Sequence, residues 1–390
     1  MNLRISPSYV TFDDSPMSLY RLVAVFLLWA SLLSAADDPE LDFSTDLREI
    51  FPEIASIEGS NERFENFFIS YHPDFKDEYF APWLSLFNQL WHEALRKARR
   101  DREEFDLAEI ELGNLWEKAA PLWENITDLA ERDEFRLYAE LDDTALDQLL
   151  SFQHLRSVVR LALVRCHEDS LSEEERAKIL RPLVWILGEI NRQSIDSTGL
   201  MISVIQLRDL WDEFPEIILQ DPKMREVFSE VANNWAKALS RGMVTDVLFL
   251  EKTLRQVEEE GGDLFELFNL ASVVEADPHT LDKIGNAMSR TYVHFILTYR
   301  FLPNHTLNRF WKIQQERIAL LAQGEFDRIN DPAEEVYGEV FESPLFHPNK
   351  GGQFILGISL PTYGRIAEIA ASLAEEVSAA LAAMEEEVEE

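Results

Sequence analysis

Apolar residues recur at every third or fourth position along nearly the whole of this chain, and that spacing restricts it to helices. Met224, Val227, Phe228, Val231, Trp235 and Leu239 make one such stripe, and Leu146, Leu149, Leu150, Leu155, Val158, Val159 and Ala162 a second. A third runs through Leu281, Ile284, Met288, Tyr292, Phe295, Ile296 and Tyr299. Each stripe occupies one face of a helix with 3.6 residues per turn, and such a face has to be buried. Period-two alternation, the mark of a half-buried strand, is confined to Phe354–Leu360, which reads as a short strand or a kinked helix; we favour the helix. Only 14 of 390 residues are Gly, and 46% are hydrophobic, with 25 Phe and nine Trp, so a large helical core can form despite the charge. The expected fold class is all-α: stacked helical hairpins or an irregular multi-helix bundle without substantial sheet.

Helix boundaries are written locally. Ser172-Glu173-Glu174-Glu175 is a capping box that opens a segment with Ile179, Leu183, Ile186, Leu187 and Ile190 on one face. Pro182 either kinks that segment or starts a second helix. Asp-Pro recurs at Asp221, Asp277 and Asp331, where the carboxylate accepts from orphan amides and proline suits the first helical position. The even spacing suggests stacked hairpins, but the intervening residues do not match position by position, so no repeat is assigned. Ile366, Ile369, Leu373, Val377, Leu381, Met384 and Val388 form a final seam, which cannot stand alone in water. It docks on its own domain or pairs with a second copy, and its acidic flanks favour docking.

The N-terminus carries a different signal. Leu22–Leu33 is apolar except for Ser31, follows Arg21, and precedes Ser34-Ala35-Ala36. A basic start, an apolar run of roughly 7–15 residues and a small-x-small site specify an export leader, cleaved here after Ala36. The run falls short of the ~20 residues that span a bilayer. An uncleaved anchor is the alternative, and a buried core helix a more distant one. Met17 begins the leader more naturally than Met1. The chain thus divides into an upstream extension (1–16), a leader (17–36), a loosely packed lead-in (37–80), a helical domain (81–323), a loop-rich connection with a kinked helix (324–360), and a C-terminal amphipathic helix with an acidic tail (361–390). The expected location is periplasmic or extracellular, with no integral membrane span once the leader is removed.

Asp and Glu number 72 against 36 Lys and Arg, a formal charge of −36. Such a surface repels phosphate backbones, so nucleic acid is not an expected partner. The acidity also suits a saline habitat. The densest basic stretch, Arg96–Arg102, reads as a cationic helix end that complements the helix dipole. The single cysteine, Cys166, excludes an intrachain disulfide, a CxxC pair and a cysteine zinc cluster. His167 is its neighbour, but positions i and i+1 of a helix do not face each other. His92-Glu93-Ala94-Leu95-Arg96 fails the zinc-protease pattern at its last position, and neither a metal site nor a cofactor loop is legible.

Two constellations remain. Ser197-Thr198-Gly199-Leu200-Met201 resembles the Gly-Leu-Met piece of lytic transglycosylases, with Glu189 upstream as the general acid that family would require. The spacing departs from that family, and Ser197 reads equally well as a helix cap. Arg290, His294, Arg300, Asn304 and His305 form a candidate anion-binding cluster: Arg290 and His294 share a helix face, and Asn304 and His305 follow the break at Pro303. The plainer reading has Asn304 or Thr306 capping a helix over Leu307–Leu321.

Four segments together resemble a group of exported bacterial helical proteins of no known activity: Phe152–Arg160, Ser197–Ser203, Leu302-Pro303-Asn304-His305-Thr306, and His347-Pro348-Asn349-Lys350-Gly351-Gly352. The resemblance implies a leader, stacked helices, a Pro-Asn-x-Thr turn and a closing Asn-Pro-x-Gly-like segment, here reordered. The resulting expectation is a non-catalytic exported binding or scaffolding protein of the cell envelope, whose partner is another protein or a second copy met through the C-terminal helix. An envelope hydrolase acting through Glu189 is the competing expectation.

Overall fold

The computed structural model describes residues 38–45, 47–50, 81–101, 105–132, 145–194, 197–260, 297, 301–342, 347–360 and 363–389. Among the described residues there are twelve α-helices, two 3-10 turns and no strand, so the protein is all-α. The helices are α1 (Leu47–Ile50), α2 (Ala81–Asp101), α3 (Leu115–Arg132), α4 (Ala145–Cys166), α5 (Glu173–Gln193), α6 (Ser197–Glu213), α7 (Pro215–Gln220), α8 (Pro222–Glu260), α9 (Pro303–Gln323), α10 (Asp331–Glu342), α11 (Lys350–Ser359) and α12 (Gly364–Glu389). Phe354–Ser359 lies within α11, so the one segment with strand-like alternation is helical. The leader, Asp277-Pro278 and the Leu281–Tyr299 stripe lie outside the described residues.

Two compact units are present, each built from segments far apart in sequence. One gathers residues 1–41, 254–309 and 336–359; the other gathers 42–253, 310–335 and 360–390. The larger unit holds the main core, in which Val158, Val159, Leu183, Leu187, Leu207, Leu210, Met224 and Phe228 are all buried. Val158, Val159, Leu183, Leu187, Met224 and Phe228 are apolar positions of the predicted stripes.

Local boundary signals work as their chemistry requires. The Ser172 hydroxyl accepts from the amide of Glu175 at 3.3 Å, while the Glu175 carboxylate accepts from the amide of Ser172 at 2.8 Å. Pro182 is buried inside α5, which continues unbroken past it; packing of the ring offsets the hydrogen bond it forgoes. Asp221 Oδ1 accepts from the amides of Lys223 and Met224 at 3.0 and 3.1 Å, and Arg181 Nε donates to Oδ2 at 2.7 Å. At the third Asp-Pro the start shifts by one. Asp331 is the first helical residue, and the Asn330 carbonyl receives the first helix bonds, from Ala333 and Glu334.

The C-terminal seam docks within the larger unit. Leu373 and Val377 are each 1% exposed and belong to the same core as Leu207, Leu210 and Trp211. Arg208 and Trp211 on α6 both donate to Glu376, at 2.8 and 3.3 Å, which sets the register of α12. No helix among the described residues is long and apolar enough to cross a membrane.

A polar centre lies in the same unit. Ser197, the first residue of α6, does not act as a side-chain cap; its hydroxyl donates to Asp246 Oδ1 at 2.8 Å. The Tyr363 hydroxyl donates to Asp246 Oδ2. Burial, reinforced by the Asp246 charge, pushes that phenol well above its usual range. The fully buried Arg317 guanidinium sits 5.2 Å from the Tyr363 ring centroid and donates to the Ile329 carbonyl at 3.1 Å.

Asp209 on α6 is less well served. Burial pushes its carboxyl up to about 6, although the cationic Arg160 and Arg156 on α4 pull the other way. Its folded pKa exceeds the unfolded value near 3.8, so the associated stability is full below that value and is lost as pH rises through about 6. Asp209→Asn keeps an acceptor for Gln206 Nε2, which donates at 3.2 Å, and removes the charge. At about 1.4 kcal/mol per pH unit, the variant is expected to gain up to ~3 kcal/mol in urea denaturation at pH 8. The gain should vanish near pH 4. Equal stabilities at pH 8 would contradict this account of Asp209.

Candidate anion-binding site

Of the cluster expected around Pro303, Asn304 and His305 are described and occupy the first turn of α9; Arg290, His294 and Arg300 lie outside the described residues. Neither Asn304 nor Thr306 caps the helix. It begins at Pro303, and the side chain that receives its free amides is Asp38, which accepts from Asn304 N at 2.9 Å and His305 N at 3.0 Å. One turn on, Asn308 Nδ2 donates to the Glu40 carbonyl at 2.8 Å. A carboxylate thus sits where the helix dipole and two free amides favour negative charge.

The segment His347–Gly352 folds onto the same turn, and Asn349 holds the two together. The Asn349 side chain is 3% exposed, and every one of its polar groups is used. Oδ1 accepts from Leu302 N at 2.9 Å. The one hydroxyl proton of Thr306 goes to the Leu302 carbonyl at 2.8 Å, so Thr306 Oγ1 accepts from Asn349 Nδ2 at 3.0 Å. The remaining Nδ2 proton points at His305 Nδ1, 3.1 Å away. Gly352 makes this approach possible: a Cβ there would lie 2.0 Å from Thr306 Oγ1 and 2.4 Å from both amide atoms of Asn349. Two short motifs 44 residues apart are therefore one structural element.

This arrangement fixes the state of two histidines. The Asn349 amide donates to His347 Nδ1 at 3.2 Å, as its side chain does to His305 Nδ1. Both rings accept at Nδ1 and carry their proton at Nε2. Burial lowers the pKa of His347, and the nearby Lys350 and His305 lower it further, which keeps the ring neutral near pH 7. A histidine metal ligand generally binds through one nitrogen while donating from the other. Here the available Nε2 bears hydrogen, so the pair is arranged to donate to an acceptor rather than to hold a metal. Among the described residues, no group of three His, Cys, Asp or Glu is placed to hold a metal ion. Arg309, paired with Glu339 at 2.5 Å, and the buried Lys350 bring positive charge to the same cluster. Burial lowers the pKa of Lys350.

Glu189 lines a cleft of about 230 Å³ together with Arg192, Glu230, Asn234, Lys237 and Arg241, and among the described residues no aromatic side chain lines it. Arg192 Nε donates to Glu189 Oε1 at 3.1 Å, and Gln193 Nε2 donates to Oε2 at 2.5 Å. Arg241 donates to the carbonyls of Asn191, Arg192 and Ser194 and so closes the end of α5. This is the geometry of a charge-paired acceptor at a helix end. Cys166 is fully buried, and burial pushes its thiol up to about 12, which makes it a poor nucleophile at neutral pH. His167 turns to Glu213, 2.8 Å away. In the basic stretch, Arg99 and Arg100 lie in the last turn of α2.

Sequence reasoning placed Asn304 and His305 but missed Asp38, Arg309, Glu339, His347 and Lys350 as their neighbours. The available signal was the pairing of two Pro/Asn/His motifs, Pro303-Asn304-His305 and His347-Pro348-Asn349, neither informative alone. No family model, curated protein or solved structure matches the chain.

Proposed function

We propose that this is an exported, non-catalytic helical binding protein of the cell envelope, and that the His305–His347 cluster receives a carboxylate from its partner. The observation that carries the reading is the pair of imidazoles that each accept at Nδ1 from Asn349, which leaves Nε2–H as the donor of each ring. Fixed donors beside Arg309 and Lys350 suit an anion, and they stand out on a chain of net charge −36. Asp38, seated on the α9 amides, shows the kind of group this turn accommodates. Export rests on the Leu22–Leu33 leader; cleavage after Ala36 leaves Asp38 in the mature chain, able to keep its place. The competing hydrolase reading has the Glu189 cleft in its favour and the Arg192 pairing against it.

Calorimetric titration of the mature chain with citrate, succinate and glycerol tests the proposal. Saturable binding of the di- and tricarboxylates is expected, weakened roughly tenfold when His305 and His347 are both replaced by Phe. Glycerol is expected not to bind. Carboxylate binding that the double variant leaves unchanged would overturn this assignment, as would no binding at all.

A further inference from the structure

Independently of that cluster, α3 carries a second surface. One face of α3 is buried: Leu115, Ala119 and Ile126 are at most 2% exposed. On its flank, Trp116, Ala120, Trp123 and Thr127 follow at 3–4 spacing and line an open groove of about 370 Å³. The two indoles lie 4.8 Å apart between centroids at an angle of 50°, forming an aromatic wedge. The remaining lining residues are Glu124, Asp128 and Glu131, one carboxylate per turn alongside the aromatic stripe; among the described residues no basic side chain lines the groove. Among the described residues, indole Nε1 of Trp123 is a buried donor with no acceptor.

We infer that this groove binds an arginine-bearing extended segment of a partner protein. The aromatic faces and the acidic rail are complementary to one cationic group, and a guanidinium is planar, stacks on indoles and pairs with carboxylates in two-pronged fashion. Trp116 already accepts such a group on its ring, since the Arg165 guanidinium carbon lies 5.9 Å from its centroid. The chain's acidity would draw basic partners without selectivity, and the aromatic wedge beside the carboxylates makes this site specific.

The test uses the mature full-length chain, a capped tri-arginine peptide, the uncharged tri-citrulline peptide, and indole N–H NMR signals, with Trp123 assigned by its loss in Trp123→Phe. The expected result is a saturable shift of the Trp123 indole signal with tri-arginine and none with tri-citrulline. Replacing Glu124, Asp128 and Glu131 by their amides should weaken binding roughly tenfold, and tri-lysine should bind more weakly than tri-arginine. The same charge removed at the exposed Glu334, Glu335 and Glu368 should leave affinity within about twofold. Trp123→Phe, checked for helix content by circular dichroism, should weaken binding by roughly threefold, because the smaller ring offers a cation a weaker face. Three results would overturn the inference: an unmoved Trp123 signal, equal weakening by the two charge-matched triple variants, or equal binding of tri-lysine.

Discussion

Leu373→Ala is expected to cost about 2–5 kcal/mol of unfolding free energy, the range for emptying a fully packed leucine site. Leu373 is 1% exposed in the core of the larger unit, and α12 is held in register there by Arg208 and Trp211 through Glu376. Rigid neighbours on α6 cannot collapse into the space, which favours the upper part of the range. Leu381, only partly buried at the edge of the same core, should cost less when truncated. Urea denaturation measures both losses, and light scattering of the variants should show an unchanged mass. A fall in mass with protomer stability preserved would mean that the seam pairs copies instead of docking.

Gly352→Ala is the second large effect, and it acts through polar groups. The added Cβ would overlap Thr306 Oγ1 and both amide atoms of Asn349, two side chains at most 3% exposed. Moving either breaks bonds that have no water to replace them, at about 1–3 kcal/mol for each polar group left unsatisfied. A loss of roughly 2–5 kcal/mol is expected, and with it the donor that fixes His305. Thr306→Ala in the Gly352→Ala background should cost less than the two changes taken separately, because it vacates the overlapped space. Stability of Gly352→Ala within ~0.5 kcal/mol of the parent chain would show that Asn349 and Thr306 do not form the rigid clamp described above.

Helices, several of their boundaries and much of the core were legible because they depend on neighbours within four residues. Ser172 finds Glu175 one turn away, and Asp221 caps the helix that follows it. Of the stripe from Met224 to Leu239, Met224, Phe228, Val231 and Leu239 are buried and Val227 and Trp235 partly so, because periodicity alone selects a face. What escaped was long-range. Local logic made Asn304 or Thr306 the cap of α9, yet Asp38, 266 residues away from Asn304, takes that place. Ser197 likewise reaches Asp246, 49 residues on, instead of its own helix. Pro182 could kink its segment or start a second helix; one helix runs through it, with the ring buried. In the candidate cluster, His305 stood out beside a proline break, but His347 gains meaning only through Asn349, which no spacing rule joins to residue 305.

The most direct measurement is long-range ¹H–¹⁵N correlation of the imidazole nitrogens of His305 and His347 near pH 7, repeated with citrate. The account predicts an unprotonated Nδ1 and a protonated Nε2 in both rings, with the Nε2–H signals of both moving saturably as citrate is added. Protons at Nδ1, or Nε2–H signals that do not respond to any carboxylate, would contradict it.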